Sequence, residues 1–284
     1  RLDPERCAEW SAVSDDIVES TAELLHGADV VVNAAGDPDA SSVDVKALNA
    51  ANGWLPLTLA LAAQRAGAGR FVHVSSAVVQ GRRPCLDETD AVDLFSPYSR
   101  SKALGEDLLA NSGLSTVVIY RPPSVHDADR RVTRMTSRIA ASRLATVLAP
   151  GTQPTPQVLL PNVAAAVAYL ATCEEQPPRR VMHPWEGLTA AGLMRALGGR
   201  RPMLVPRWLG AAVLASLRVA GKLSPGLGAN ARRVEMLWAG QQQATSWLST
   251  RGWQPPVGMS GWDELGRRVL DRESDAPEGN DERG

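Results

Sequence analysis

A tyrosine and a lysine stand four residues apart in Tyr98-Ser-Arg-Ser-Lys102. On a helix that spacing stacks both side chains on one face. A phenol titrates near 10, so acid–base work at neutral pH needs a neighbour that favours the phenolate. An ammonium about 5 Å away, at an effective dielectric of 20, contributes roughly 3 kcal/mol, about two pKa units. The pair therefore predicts a general acid–base that exchanges a proton with a carbinol oxygen during hydride transfer. The bland alternative is a surface tyrosine beside a solvated lysine. With three of each residue in the chain, that coincidence is expected only about 0.03 times.

Ser75-Ser76 closes an apolar run, Arg70–Ser75, that reads as a buried strand. A parallel sheet presents its strand ends to a ligand crevice, where a serine hydroxyl can orient the reacting oxygen toward Tyr98. The elements needed to bring these groups together are also written in the pattern. Ser96-Pro97 opens the helix that carries Tyr98 and Lys102, with Ser as cap and Pro in the first turn, and Gly113 follows its end near Asn111. Ala28–Asn33 and Ser115–Tyr120 read as further buried strands, and Ile17–Leu25 and Leu48–Ala66 as helices. Cys7–Trp10 is a weak strand candidate. This alternation predicts a parallel α/β sheet.

Beyond Pro123 the pattern loosens. Helices are expected over Val132–Leu144, Asn162–Thr172, Thr189–Leu197, Pro206–Leu223, Ala229–Trp238 and Ala244–Thr250, with a short strand at Gln157–Leu160. Asp271–Gly284, charged and rich in Pro and Gly, is expected to be a disordered tail.

His73-Val-Ser-Ser-Ala-Val-Val-Gln-Gly81, Ser96-Pro-Tyr-Ser-Arg-Ser-Lys102-Ala-Leu-Gly-Glu106 and Arg121-Pro-Pro-Ser-Val125 together resemble the extended short-chain dehydrogenase/reductase family, the NAD-dependent epimerases/dehydratases. The similarity is clear from about Cys7 to Thr172. It implies a Rossmann-like doubly wound parallel sheet with a smaller, mostly helical substrate lobe. The dinucleotide-binding part would comprise 1–123 and 157–182, and the lobe 124–156 and 183–270. The resemblance makes Ser76, Tyr98 and Lys102 catalytic, with Lys102 also holding the nicotinamide ribose. It places Asn33, Ala34, Ala35, Gly36, Asn52, Ser75, Pro122 and Val125 along an NAD or NADP cofactor, and Ser124 at the substrate. Members often dimerise, here through the Leu48–Ala66 and Pro97–Asn111 helices.

The sequence departs from the family in four places. The glycine-rich turn that cradles a pyrophosphate does not occur; the chain reads as starting near the family's third strand, which predicts a gap in the sheet and weak dinucleotide binding. The adenine-side Asp falls on Ala12, with Asp15 and Asp16 slightly late. Ser124 stands where nucleotide-sugar enzymes often carry Asn. Asn162 replaces a customary Asp and is expected to act as a conservative helix cap.

The implied reaction moves hydride between nicotinamide and a secondary alcohol or ketone carbon, on family frequency that of a nucleotide-activated sugar. Arg121–Val125 and Val205–Leu209 resemble a 3β-hydroxysteroid-dehydrogenase-like branch, so a sterol or ketone substrate is the alternative. A non-catalytic or truncated Rossmann-like protein is the third. Formal charge is −1, from 30 basic and 31 acidic residues, which gives no case for nucleic acid as the main partner. Trp208–Leu217, cut by Arg207 and Arg218, is too short to span a bilayer. Three separated cysteines fit a reducing cytoplasm, and His26, His73, His126 and His183 lack metal-ligand spacing.

Overall fold

The structure is a computed structural model that describes residues 15–221, 235–236 and 238–275. The strand expected at Cys7–Trp10 and most of the helix expected at Ala229–Trp238 lie outside the described residues. In chain order the elements begin with α1 (Asp15–Leu24) and β1 (Val30–Asn33). A helical stretch follows as α2 (Val45–Asn49), a π-helical turn (Ala50–Trp54) and α3 (Leu55–Arg65). Next come β2 (Arg70–Val74), a 3-10 turn (Ala77–Gln80), β3 (Cys85–Leu86), α4 (Pro97–Asn111), β4 (Val117–Arg121) and β5 (Ser124–His126). The remainder comprises α5 (Arg131–Ala141), β6 (Thr146–Leu148), β7 (Gln157–Leu159), α6 (Leu160–Thr172), β8 (Arg180–Met182), α7 (Ala190–Gly198) and β9 (Met203–Val205). The last described elements are α8 (Arg207–Gly221), β10 (Gln242–Gln243), α9 (Trp247–Thr250) and α10 (Met259–Asp275).

Strands β1, β2, β4 and β8 form a sheet in that order, every pair parallel, with Val30 opposite Arg70, Val72 opposite Val118 and Tyr120 opposite Val181. Alternation along each strand supplies both faces. Phe71, Val117 and Ile119 pack with Ala60 and Ala63 of α3 and Leu109 of α4. Val72, Val118 and Tyr120 turn to Val163, Ala166 and Leu170 of α6. Burial on both faces explains why these strands read as continuous β-branched runs; each fully buried aliphatic side chain contributes about 1.5–3 kcal/mol. Among the described residues β1 is an edge of this sheet.

A second core gathers Ala140 of α5, Leu193, Met194 and Leu197 of α7, and Trp262, Leu265 and Val269 of α10. Val158 belongs to the sheet-face core and its neighbour Leu159 to this second core, so β7 joins the two. A buried polar chain also crosses here. The Tyr120 hydroxyl is 2.6 Å from Nδ1 of His183, whose Nε2 is 3.1 Å from Glu186. Glu186 accepts from Asn162 at 2.7 Å and from Nε1 of Trp262 at 3.0 Å.

Several expectations need correction. The stretch read as one helix from Leu48 to Ala66 contains the π-helical turn around Asn52 and Gly53. The Val132–Leu144 helix stops at Ala141, and Thr146–Leu148 pairs with β9 instead. Ala244–Thr250 contains only one helical turn. The tail expected to be disordered from Asp271 is helical through Asp275, because Trp262, Leu265 and Val269 bury one face of α10 and carry its charged last turns with them. Asn162 is no cap: the capping position of α6 is Leu159, and Asn162 makes two hydrogen bonds with the Val257 backbone besides the one with Glu186. An Asp there would face the Glu186 carboxylate, whereas the amide supplies the donor that carboxylate needs.

Candidate functional site

The C-terminal ends of β1, β2 and β4 converge, as a parallel sheet requires. Ser75 N–H donates to the Tyr120 carbonyl at 2.8 Å and Ala77 N–H to the Pro122 carbonyl at 2.9 Å, which stitches the two strand exits together. Ser76 caps the following 3-10 turn, its Oγ accepting from Val78 N–H at 3.2 Å. Tyr98 and Ser76 are brought side by side, close enough for the Ser76 hydroxyl to favour the phenolate. Tyr98 reaches that position because a capping box fixes the start of α4: Ser96 Oγ accepts from Ser99 N–H at 3.1 Å, and Ser99 Oγ accepts from Ser96 N–H at 2.9 Å.

One turn on, Lys102 is only 6 % exposed. Its Nζ lies 3.4 Å from where a Cβ on Gly36 would stand, and Asn52 Oδ1 would be 2.6 Å from that carbon. Glycine is thus required where the loop after β1 passes over Asn52 and Lys102. Asn52, fully buried in the π-helical turn, holds the loop to α4. Its amide accepts from Asp37 N–H and donates to the Asp37 carbonyl and to Ser101 Oγ, each at 3.1 Å. Asn33 at the end of β1 accepts from Ala35 N–H at 2.9 Å and pairs its Nδ2 with His73 Nδ1 at 3.2 Å. Ala34, Ala35 and Gly36 are exposed on the open side of this loop.

A third turn of α4 carries Glu106, which the Arg121 guanidinium grips at 2.6–3.1 Å deep in the protein. Arg121 also donates to the Thr89 carbonyl at 2.8 Å. Ser75 Oγ donates to Glu106 at 2.5 Å, so of the two adjacent serines it is Ser76 that acts on Tyr98. Ser124 contacts His126 Nε2 at 3.4 Å, and Val125 packs against the sheet-face core.

The electrostatics differ from the expectation in one respect. Burial pushes the Tyr98 phenol up to about 12; the Arg130 charge and the Ser76 hydroxyl pull it down, and Asp37 pushes it up. The phenol is not acidic here, because loss of solvent around Tyr98 outweighs the Arg130 charge, and Lys102 is not among the groups that shift it. Lys102 is itself lowered to about 8 by burial, against the opposing pull of Glu106 and Asp37. Burial, and then the Lys102 charge, brings His73 down to about 3, so its imidazole is neutral.

Tyr98 is therefore protonated at neutral pH and lies beside a serine hydroxyl. The residues fit the ribose–nicotinamide end of a dinucleotide. A loop of small residues, Ala34, Ala35 and Gly36, passes directly over a buried ammonium and a fixed amide, so close that a Cβ at Gly36 would meet Asn52 Oδ1 at 2.6 Å. No strand-to-helix glycine-rich turn for a pyrophosphate occurs among the described residues. Four contributors escaped the sequence reading: Asp37, His73, Glu106 and Arg130. Glu106 was within reach, since it continues the four-residue spacing of Tyr98 and Lys102. Asp37 and Arg130 enter from loops, where no periodicity marks them.

A family model described as "NAD dependent epimerase/dehydratase family" matches residues 13–182. Solved structures agree at the level of fold. UDP-glucuronic acid 4-epimerase from Bacillus cereus, in complex with NAD, superposes with a TM-score of 0.61 at 18 % identity, covering 91 % of this chain and 80 % of that one. dTDP-4-dehydrorhamnose reductase from Bacillus anthracis, in complex with NADP, gives 0.57 at 15 % identity over 92 % and 88 %. RMD from Pseudomonas aeruginosa, complexed with NADPH, gives 0.53 at 16 % over 91 % and 86 %. No curated protein matches the sequence significantly.

Proposed function

Because the chain belongs to the NAD-dependent epimerase/dehydratase family, we infer that it is an NAD(P)-dependent oxidoreductase or epimerase acting at a secondary alcohol or ketone carbon of a nucleotide-activated sugar. The observation that carries this reading is the meeting of Tyr98, at the capped start of α4, with Ser76, at the exit of β2, at the mouth of the parallel sheet. When bound, a nicotinamide supplies a reversible hydride acceptor; Lys102, Asn52 and the Gly36 loop are the residues that would hold it.

In the reducing direction Ser76 donates a hydrogen bond to the substrate carbonyl, and Tyr98 delivers its proton to the oxygen as negative charge develops there. In the oxidising direction Tyr98 must first lose its proton, and the Arg130 charge and the Ser76 hydroxyl are what favour that loss. Arg130 has a second use. It is half-buried at the start of α5, close enough to act on Tyr98, and makes no salt bridge among the described residues. A guanidinium so placed suits an anionic substrate group such as a phosphate or carboxylate. UDP-glucuronic acid, UDP-glucose and dTDP-linked sugars are named with the related folds.

The test is a panel of UDP- and dTDP-sugars and their 4-keto forms, with sterols alongside, incubated with the protein and NAD(H) or NADP(H). Absorbance at 340 nm and product chromatography are the readouts. Turnover of at least one nucleotide sugar is expected. Turnover confined to sterols, or none with any compound, overturns the assignment.

A further inference from the structure

We propose that the face built by α8, β9 and the segment entering β6 is a docking surface for an anionic lipid bilayer. The proposal is independent of the reaction assigned above.

The first observation is charge segregation that the near-zero total conceals. Residues 130–173 and 187–234 contain thirteen Lys or Arg and no Asp or Glu, although the whole chain carries 31 acidic residues. Any surface drawn from these two stretches is cationic.

The second is apolar exposure concentrated in the same stretches. Trp208 is 75 % exposed at the start of α8, Leu144 is 80 % exposed just before β6, and Met203 and Leu204 of β9 are 53 % and 55 % exposed. Leu209 and Val213 continue the surface along α8. These positions are linked: Met203 N–H bonds the Ala145 carbonyl, β9 pairs with β6, and α8 follows β9 after one residue. Between Trp208 and Ser216 only Gly210 and Leu214 are buried; Gly210 seats the helix on Leu148, where an added Cβ would meet Leu148 Cδ2 at 1.9 Å. Over residues 208–216 a helix that rests on so narrow a seam and turns its other uncharged side chains outward has, among the described residues, an unpartnered face.

The third observation chooses the occupant. Exposed Arg143, Arg200, Arg201 and Arg207 flank the apolar side chains. Arginine beside tryptophan and aliphatic residues, with no carboxylate in either stretch, complements acidic headgroups over acyl chains. Nucleic acid would use the cations but leave the aliphatic side chains in water. No helix among the described residues is long and apolar enough to cross a membrane, so the contact is at the bilayer surface.

The experiment is co-sedimentation of the full chain with vesicles of phosphatidylcholine alone or containing 30 % phosphatidylglycerol, at low and at 0.5 M salt. Binding to the acidic vesicles is expected, weakened by salt and absent with neutral ones. Arg200→Glu/Arg201→Glu, both exposed, should weaken it by roughly 30-fold or more. Trp208→Ser/Leu209→Ser should weaken it by about 10-fold or more. Circular dichroism verifies that both variants are folded. No binding to acidic vesicles, equal binding to neutral ones, unchanged binding by the folded variants, or tighter binding to duplex DNA or RNA than to acidic vesicles overturns the proposal.

Discussion

Lys102 is a cation kept where solvent barely reaches it. Its lowered pKa of about 8, against the usual 10.5, says that its charged form is less comfortable in the fold than in water despite Glu106 and Asp37 nearby. Native protein binds fewer protons than unfolded chain between those two values, so stability should rise with pH across that window. Below about 8 the strain is fully present. Lys102→Met keeps the bulk, removes the charge and leaves Glu106 held by Arg121, so it should stabilise the protein by about 1–3 kcal/mol at pH 7. Thermal unfolding at pH 7 and at pH 11 checks this: the gain should shrink at the higher pH, and destabilisation at pH 7 would contradict the reading. The same variant should lose turnover. At this scale the Tyr98–Lys102 pairing was legible because helical spacing is written in the sequence. The phenol's high pKa was not, because its burial is a property of the folded assembly.

The stretch from α2 to α3 illustrates what an element owes to distant chain. Its apolar spacing predicts one helix, yet a π-helical turn interrupts it at Asn52 and brings that amide to Asp37 and Ser101. The partner that permits this is Gly105 of α4, where an added Cβ would stand 2.2 Å from the Asn52 carbonyl oxygen. No local pattern near Asn52 could announce it. Gly105→Ala should therefore push the two helices apart and cost about 1–3 kcal/mol of stability. It should also loosen the Asn52 clamp, weakening NADH affinity measured by fluorescence titration more than a surface Gly113→Ala change does. Equal stability and affinity in Gly105→Ala would count against the clamp. The long buried strands and α4 were legible from β-branched runs and caps. Of the three-residue strands β7 was legible, at Gln157–Leu160, but β5, β6, β8 and β9 were not, since so short a run carries little periodicity. The charged end of α10 masked a helix that Trp262, Leu265 and Val269 anchor.

For the whole molecule, the α/β class followed from the order of elements, but two global features did not. Net charge of −1 suggests an evenly mixed surface, whereas two stretches carry no acidic residue, and exposed Arg143, Arg200, Arg201 and Arg207 flank the exposed apolar side chains of β9 and α8. The join between the sheet and the second core also rests on side chains far apart in sequence. Tyr120, His183, Glu186, Asn162 and Trp262 satisfy one another in a buried chain that only the folded topology assembles. These features frame a strand-end site that, in the proposed reaction, brings one phenol and one hydroxyl to the same substrate oxygen. The most direct measurement is steady-state reduction of the 4-keto nucleotide sugar that the panel identifies, for wild type, Tyr98→Phe and Ser76→Ala. Phenylalanine should lower kcat by about 10²–10⁴ while KM stays close to that of the wild type, with a smaller fall for Ser76→Ala. Wild-type kcat in Tyr98→Phe would show that this phenol does not carry the proton.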